Sequence, residues 1–299
     1  MKLKLSIEKY IENFIEEILL QIDIKGKINI HINQVFISDY KDEDFVRQSF
    51  IFFTLCKVHF FLPKLVDKHC LNLIFKYIDI NYKENKKLTS VDRKFIELYM
   101  VRGCIFWEKN TSRAEEFSVK ENMSVIYTSP VLTHLFLETE ANALTYLNKS
   151  LFQEVYIKFA KEAVVYALRS EQKDTSNAFY FSGILNYHDV LGMNIKNEVL
   201  GILSKKHHQE LSEINITHTS VLAALFQDYS SIYPNFEGQA DYFLSEVLSR
   251  NIKTNPYLRK RFNFTDNSLS EIKNTSYVCL DTYSHIILGM LNLLYKYDK

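Results

Sequence analysis

Three features of the sequence predict an all-α fold. Apolar residues recur at three- and four-residue spacing in one segment after another, which is the period of a buried helix face. Only 7 glycines and 4 prolines interrupt 299 residues, too few for the many tight turns of a barrel or sandwich. Hydrophobic residues make up 47% of the chain, enough for a substantial core. The pattern yields about ten helices joined by short polar turns, expected to pack as consecutive antiparallel hairpins in an α/α toroid or an irregular solenoid. No fixed repeat length of the tetratricopeptide or ankyrin kind is present.

The first helix is predicted over residues 5–23, where Ile7, Ile11, Phe14, Ile15, Ile18 and Leu19 form one apolar face. Residues 24–40, with Lys25-Gly-Lys and the alternating Ile28, Ile30 and Ile32, read as a short strand or an extended link, the extended link being preferred. From Asp42 to Ile80 the chain reads as two helices hinged near Pro63, because the residue before a proline is pushed out of the helical region. Their Phe-rich faces must be buried. Thr89 or Ser90 can cap the next helix, which carries Phe95, Ile96, Tyr99 and Met100 and runs to Trp107.

The polar segment 110–128 is expected to be irregular and to mark the division between an N-terminal helical part, 1–112, and a C-terminal helical-hairpin part, 113–299, if the chain is not one continuous domain. Ser129 as cap and Pro130 in the first helical position begin a helix to about Asn148. Further helices are predicted near 150–170, 176–193, 195–213, 217–231, 239–252 and 278–297.

Charge excludes some partners. Lys and Arg total 36, as do Asp and Glu, so no net charge draws the chain to nucleic acid or an anionic membrane. No window reaches the roughly 18 uncharged apolar residues of a membrane span. Charges at Glu8, Lys9 and Glu12 interrupt any signal-peptide core, which leads us to expect a cytoplasmic protein. Cys56, Cys70, Cys104 and Cys279 are scattered, with no Cys-x-x-Cys pair, and read as free thiols.

Candidate chemistry lies in three segments that join a small hydroxyl residue, a histidine and an apolar run. These are Thr133-His134, Thr217-His218 and Ser284-His285. Residues four apart share a helix face, so His134 and Glu138 can present an imidazole and a carboxylate to one point, and Asp281 and His285 repeat the pair in reverse order. His188 sits beside Asp189. Histidines and carboxylates from several helices are how metal sites are built in helical cores, a set that suits iron, manganese or zinc, with an open position to activate water or dioxygen. The simpler reading of each pair is a hydrogen bond or a solvated ion pair. His31, His59 and His69 have no acid at helical spacing that would suggest a site.

The segments Leu132-Thr-His-Leu-Phe136, Gly183-Ile-Leu-Asn-Tyr-His-Asp-Val-Leu-Gly192 and Thr217-His-Thr-Ser-Val-Leu-Ala-Ala-Leu225 together resemble an uncharacterised bacterial all-helical family. That family carries a Thr-His followed by an acid, a Leu-Leu-Gly-type helix and a Tyr-His-Thr-Thr-like helix start. The resemblance spans about residues 120–230 and implies that His134 and His218 are paired features. It implies no reaction. Here Ile216-Thr-His-Thr lacks the tyrosine, and Glu138-Thr-Glu140 stands where the family has an acidic turn followed by a glycine.

Other enzyme classes leave no trace in the sequence. It lacks the Asp-Asp-x-x-Asp of terpene cyclases, the Cys-His-Gly of lanthionine cyclases, a glycine-rich phosphate loop and a Gly-x-Ser-x-Gly elbow. Tyr156, Tyr166, Tyr180 and Tyr187 can line an apolar pocket, although aromatic residues at helical spacing more often fill a core. Two expectations follow. One is a metal-dependent enzyme of specialised metabolism acting on a peptide or small molecule, with His134, His218 and His285 as ligands and Glu138 and Asp281 as ligands or bases. The other is a non-catalytic helical protein that binds a peptide or protein partner on a concave surface.

Overall fold

A computed structural model describes residues 2–32, 44–109, 112–113, 117, 123–169, 181, 183–204, 229 and 278–296. The predicted helices at 217–231 and 239–252 lie outside the described residues, apart from Tyr229. What is described is all-helical but for one ladder of two-residue strands. Among the described residues no helix is long and apolar enough to cross a membrane. The chain divides into two compact units, one made of residues 1–21, 29–42 and 206–299, the other of 22–28 and 43–205.

In the first unit, α1 (Lys2–Leu20) packs on α9 (Leu280–Lys296). Ile7, Ile11, Phe14, Ile15 and Ile18 are buried as their spacing predicts, and Leu19 is half-buried at the edge of the face. They meet a matching stripe on α9, where Tyr283, Ile286, Ile287, Met290, Leu291 and Leu294 are buried and the Tyr283 ring lies 4.9 Å from that of Phe14. β1 (His31–Ile32) pairs antiparallel with β2 (Val278–Cys279), and the Leu280 amide donates to the Ile30 carbonyl, so the ladder runs straight into the start of α9.

Of the predicted link 24–40, residues 24–28 belong to a closed turn that starts at Ile22, 29–32 lead into β1, and 33–40 lie outside the described residues. Ile22 and Ile28 form a bridge, and the Asp23 carboxylate accepts the amides of Lys25 and Lys27. Gly26 takes φ +89°, and a side chain there would run into the Leu73 carbonyl, so this position needs glycine twice over.

The second unit is built around α2 (Phe45–Phe61), which packs against α3 (Lys68–Glu84) on one side and, more extensively, α4 (Ser90–Glu108) on another. Residues 48–58 of α2 are all buried. A helix apolar almost all round has no solvent face to offer and becomes the centre of its unit. α2 ends at Phe61, two residues before Pro63. α4 begins with a capping box, in which Thr89 Oγ1 accepts the Asp92 amide at 3.1 Å and the Asp92 carboxylate accepts the Thr89 amide at 3.2 Å.

Beyond α4, a 3-10 turn (Met123–Thr128) leads to α5 (Pro130–Leu147), which packs on α4, and α6 (Glu154–Arg169) packs on α5. Pro130 opens α5 as expected, but the Ser129 side chain makes no capping bond; Thr133 Oγ1 instead donates to the carbonyls of Ile126 and Ser129. Segment 176–193, predicted as one helix, contains a 3-10 turn (Gly183–Tyr187) and the single-turn α7 (His188–Leu191), closed by Gly192 at φ +62°. α8 (Lys196–Leu203) completes the described part of the unit.

Close approach of α2 and α4 is made possible by Gly103. A methyl group there would stand 2.5 Å from the Phe52 ring, which is itself fixed against Trp107 at 6.1 Å between centroids. Replacing Gly103 with alanine should therefore destabilise the protein by about 1–3 kcal/mol, the usual penalty for overpacking. Chemical denaturation of the variant, read as a lower midpoint at unchanged slope, checks this.

Candidate functional site

Three cations are buried among the described residues of the second unit, Lys57, Lys94 and Arg102, and Lys94 is met by Glu97 on its own helix. Lys57 sits near the end of α2 and is 7% exposed; Arg102, beside Gly103 on α4, is 6% exposed. Both keep company with aromatic faces, Lys57 Nζ 5.8 Å from the Phe106 ring centre and the Arg102 guanidinium 4.1 Å from that of Phe53. A buried charge must be met by another charge or by hydrogen bonds. α5 supplies the answer.

Glu138 projects from α5 so that Oε2 lies 2.9 Å from Nη2 of Arg102 and 3.2 Å from Nε2 of His134, one helical turn earlier. The helical pairing of His134 and Glu138 read from their spacing is thus present, and its carboxylate is shared with a third residue from another helix. The pair is mostly shielded, the two side chains being 18% and 13% exposed. Burial on its own raises the Glu138 carboxyl; the pull of His134, Arg102 and Lys57 outweighs it and holds the group well below the usual carboxylate range. Lys57 moves the other way. Burial first, then repulsion from Arg102, brings its ammonium down to about 8 against the opposing attraction of Glu138.

The 3-10 turn that opens at Gly183 covers this group. A Cβ at Gly183 would lie 2.6 Å from both Glu138 Oε1 and His134 Cε1, so backbone approaches the pair as closely as it can. At the far end of the turn, the Tyr187 hydroxyl donates to Asn142 Oδ1 at 3.2 Å, and the Asn142 amide donates to the Glu138 carbonyl. Burial pushes the Tyr187 phenol well above its ordinary value, so it serves here as a donor. Two nitrogens in the group are buried without a hydrogen-bond partner, Nδ1 of His134 and Nε of Arg102.

His285 is half-buried on α9, and Asp281 stands in the first turn of the same helix, both in the first unit; His218 lies outside the described residues. Among the described residues no group of three or more histidine, cysteine, aspartate and glutamate side chains is arranged to hold a metal ion. Two further histidines have local partners. His188 engages the Leu185 carbonyl through Nδ1 at 2.7 Å and Asp189 through Nε2 at 3.2 Å, while His59 Nδ1 lies 2.7 Å from the Val66 carbonyl. Tyr166 is 78% exposed and lines no described interior.

Lys57, Arg102 and Asn142 were not singled out by motif or spacing, and Gly183 only as the first residue of a segment that carries the family resemblance. A signal for the two cations does exist. Each is a lone positive charge inside an apolar helical run, Thr54-Leu-Cys-Lys57-Val and Met100-Val-Arg102-Gly-Cys, where a solvated residue would have no place.

Two measurements follow from this charge arrangement. A carboxyl depressed in the folded state contributes stability that is present above its unfolded value, about 4.3, and is lost as the pH falls below it. Glu138→Gln should therefore cost about 3 kcal/mol at pH 7, as expected when one partner of a buried pair is removed, with the gap to wild type narrowing in urea titrations at pH 3. For Lys57 the sign is reversed. Its folded value is lowered, so burying it carries a penalty below pH 8 that is relieved as the pH rises through about 8 toward 10.5. Lys57→Met should be more stable than wild type at pH 7, and less so by comparison at pH 10.

Comparison with protein-family models, with curated proteins and with solved structures finds no match to this chain, so its site is described from its own residues.

Proposed function

We propose that this protein is an enzyme of specialised metabolism that acts on a peptide or small molecule, and that His134 is the residue that exchanges a proton with it. One observation carries the reading: His134 has Nε2 engaged by a carboxylate that Arg102 also clamps, while Nδ1 is buried with no hydrogen-bond partner. A carboxylate that accepts from one imidazole nitrogen sets the tautomer and leaves the other nitrogen basic. Nδ1 is then the atom that takes a proton from a bound group and returns it, and Glu138 is the positioning residue behind it. The charge balance of the chain supports partners that are neither nucleic acid nor membrane, and the charges at Glu8, Lys9 and Glu12 support a cytoplasmic protein.

The metal-dependent form of this reading uses the same atom. A histidine that ligates a metal commonly gives its other N–H to a carboxylate, which is the arrangement of His134 with Glu138. Iron, manganese or zinc at Nδ1 would make the imidazole a ligand instead of a proton carrier. The proximity of Arg102 and Lys57 disfavours a dication close by, and for that reason proton transfer is placed first.

The test uses peptide and small-molecule extracts from producing cells, incubated with wild type or with His134→Gln, each shown to be folded by circular dichroism. At least one compound should be consumed by wild type and spared by the variant; extracts left unaltered by wild type overturn the enzyme reading. Elemental analysis of protein without a histidine tag divides the two forms. Near-stoichiometric metal that disappears in His134→Gln assigns Nδ1 as a ligand, and turnover by metal-free protein assigns it to proton transfer.

A further inference from the structure

We propose that residues 183–191 are a lid over the His134–Glu138 pair, hinged at Gly192 and latched by the hydrogen bond from Tyr187 to Asn142. That its opening admits a substrate rests on the reading of His134 given above. The need for a movable cover comes from burial. The side chains of His134 and Glu138 are 18% and 13% exposed, and Nδ1 of His134 is itself buried, so nothing can meet that atom until a neighbouring element moves. The element pressed on the pair is this turn. A Cβ at Gly183 would stand 2.6 Å from His134 Cε1, the ring atom bonded to Nδ1, and 2.6 Å from Glu138 Oε1. Covers of this kind exclude water from a reacting group when closed and set its access when open.

The bonding of the segment suits it to move as a unit. Among the described residues its side-chain bonds are internal, His188 engaging the Leu185 carbonyl at 2.7 Å and Asp189 at 3.2 Å, with one exception. The exception is the Tyr187 hydroxyl, which donates to Asn142 Oδ1 at 3.2 Å. Asn142 in turn donates to the Glu138 carbonyl, so the latch closes on the same stretch of α5 that carries the pair. Ile184, Leu185 and Leu191 seat the segment, while Asn186, Asp189 and Val190 are exposed. A short element held by few buried side chains opens at less cost than the unit beneath it unfolds. At its end Gly192 is exposed at φ +62°, and a Cβ there would meet nothing within 4 Å, so the backbone can turn without collision. Beyond the hinge Met193, Ile195, Val199 and Leu200 are buried and anchor the chain. One described backbone bond crosses it, from the Met193 amide to the His188 carbonyl at 2.9 Å.

Native-state hydrogen exchange of the full chain, followed by mass spectrometry in increasing sub-denaturing urea, tests this. In wild type the amides of 183–193 should exchange through a local opening that urea leaves unchanged, while those of α5 exchange only as the unit unfolds. Tyr187→Phe should speed exchange of 183–193 about fivefold, the worth of one neutral hydrogen bond, and should raise the reactivity of His134 toward diethyl pyrocarbonate by a similar factor. The reagent is applied at several pH values so that access is separated from protonation, and the exposed His69 serves as the control that should not change. Exchange of 183–193 with the same urea dependence as α5 overturns the lid, and this wild-type result decides even where Tyr187→Phe fails to fold. A folded Tyr187→Phe with unaltered exchange and unaltered His134 reactivity overturns the latch. Local opening with no conversion of any extract leaves the lid and removes the enzyme reading. His134-dependent conversion of a compound, with 183–193 exchanging only by global unfolding, leaves the enzyme reading and removes the lid.

Discussion

Gly103 lets α2 and α4 lie so close that the Phe52 ring occupies the space a methyl group would need, and the second unit depends on that approach. Both helices are buried along most of their length, so a charge within those stretches cannot turn toward solvent. Arg102 follows directly from this constraint. Being next to Gly103, it is carried into the same interior, where its guanidinium lies against Phe53 and must find an anion. Glu138 meets that need from α5, and the capture of one carboxylate by two helices joins α5 to the α2 and α4 core by charge as well as by packing.

Chemistry enters as a by-product of the same arrangement. The carboxylate that neutralises Arg102 also holds His134, so the imidazole is fixed in orientation by a group whose own position is set from α4. Gly183 brings backbone down over the pair, and Tyr187 and Asn142 tie the covering turn to α5. An ordinary i,i+4 pair on a surface helix is mobile and worth a few tenths of a kcal/mol. Here shielding, a clamp and a cover give it a defined geometry, which is the condition for a pair to do more than stabilise a helix.

The buried network elsewhere in this unit makes a useful contrast. Lys94 and Glu97 form an ion pair at 2.6 Å on α4, and Tyr82 from α3 donates to the same carboxylate at 2.6 Å. Every described oxygen of that carboxylate has a partner. Glu140 similarly uses one oxygen to accept the amides of Leu151 and Phe152, holding the connection between α5 and α6. These are polar groups spent on the fold. Glu140 Oε1 is itself buried without a hydrogen-bond partner; the His134 group differs in gathering unmet nitrogens of two residues around one carboxylate oxygen.

Much of the architecture was legible in the residues alone. Periodicity located α1 through α6 and α9, because a buried helix face imposes its 3.6-residue spacing on the chain whatever it packs against. Local chemistry also marked the Thr89 cap, the Pro63 break and the Pro130 start. The turn at 22–28 and the broken segment 183–191 were misjudged, since a bridge closed by Asp23 and a glycine pressed against α5 depend on neighbours distant in sequence. The same limit applies to the site. Spacing on one helix was sufficient to pair His134 with Glu138, but that Arg102 would clamp the pair, that Lys57 would be buried near it and that Gly183 would cover it was decided only when three helices and a turn came together, because electrostatics acts through space and not along the chain.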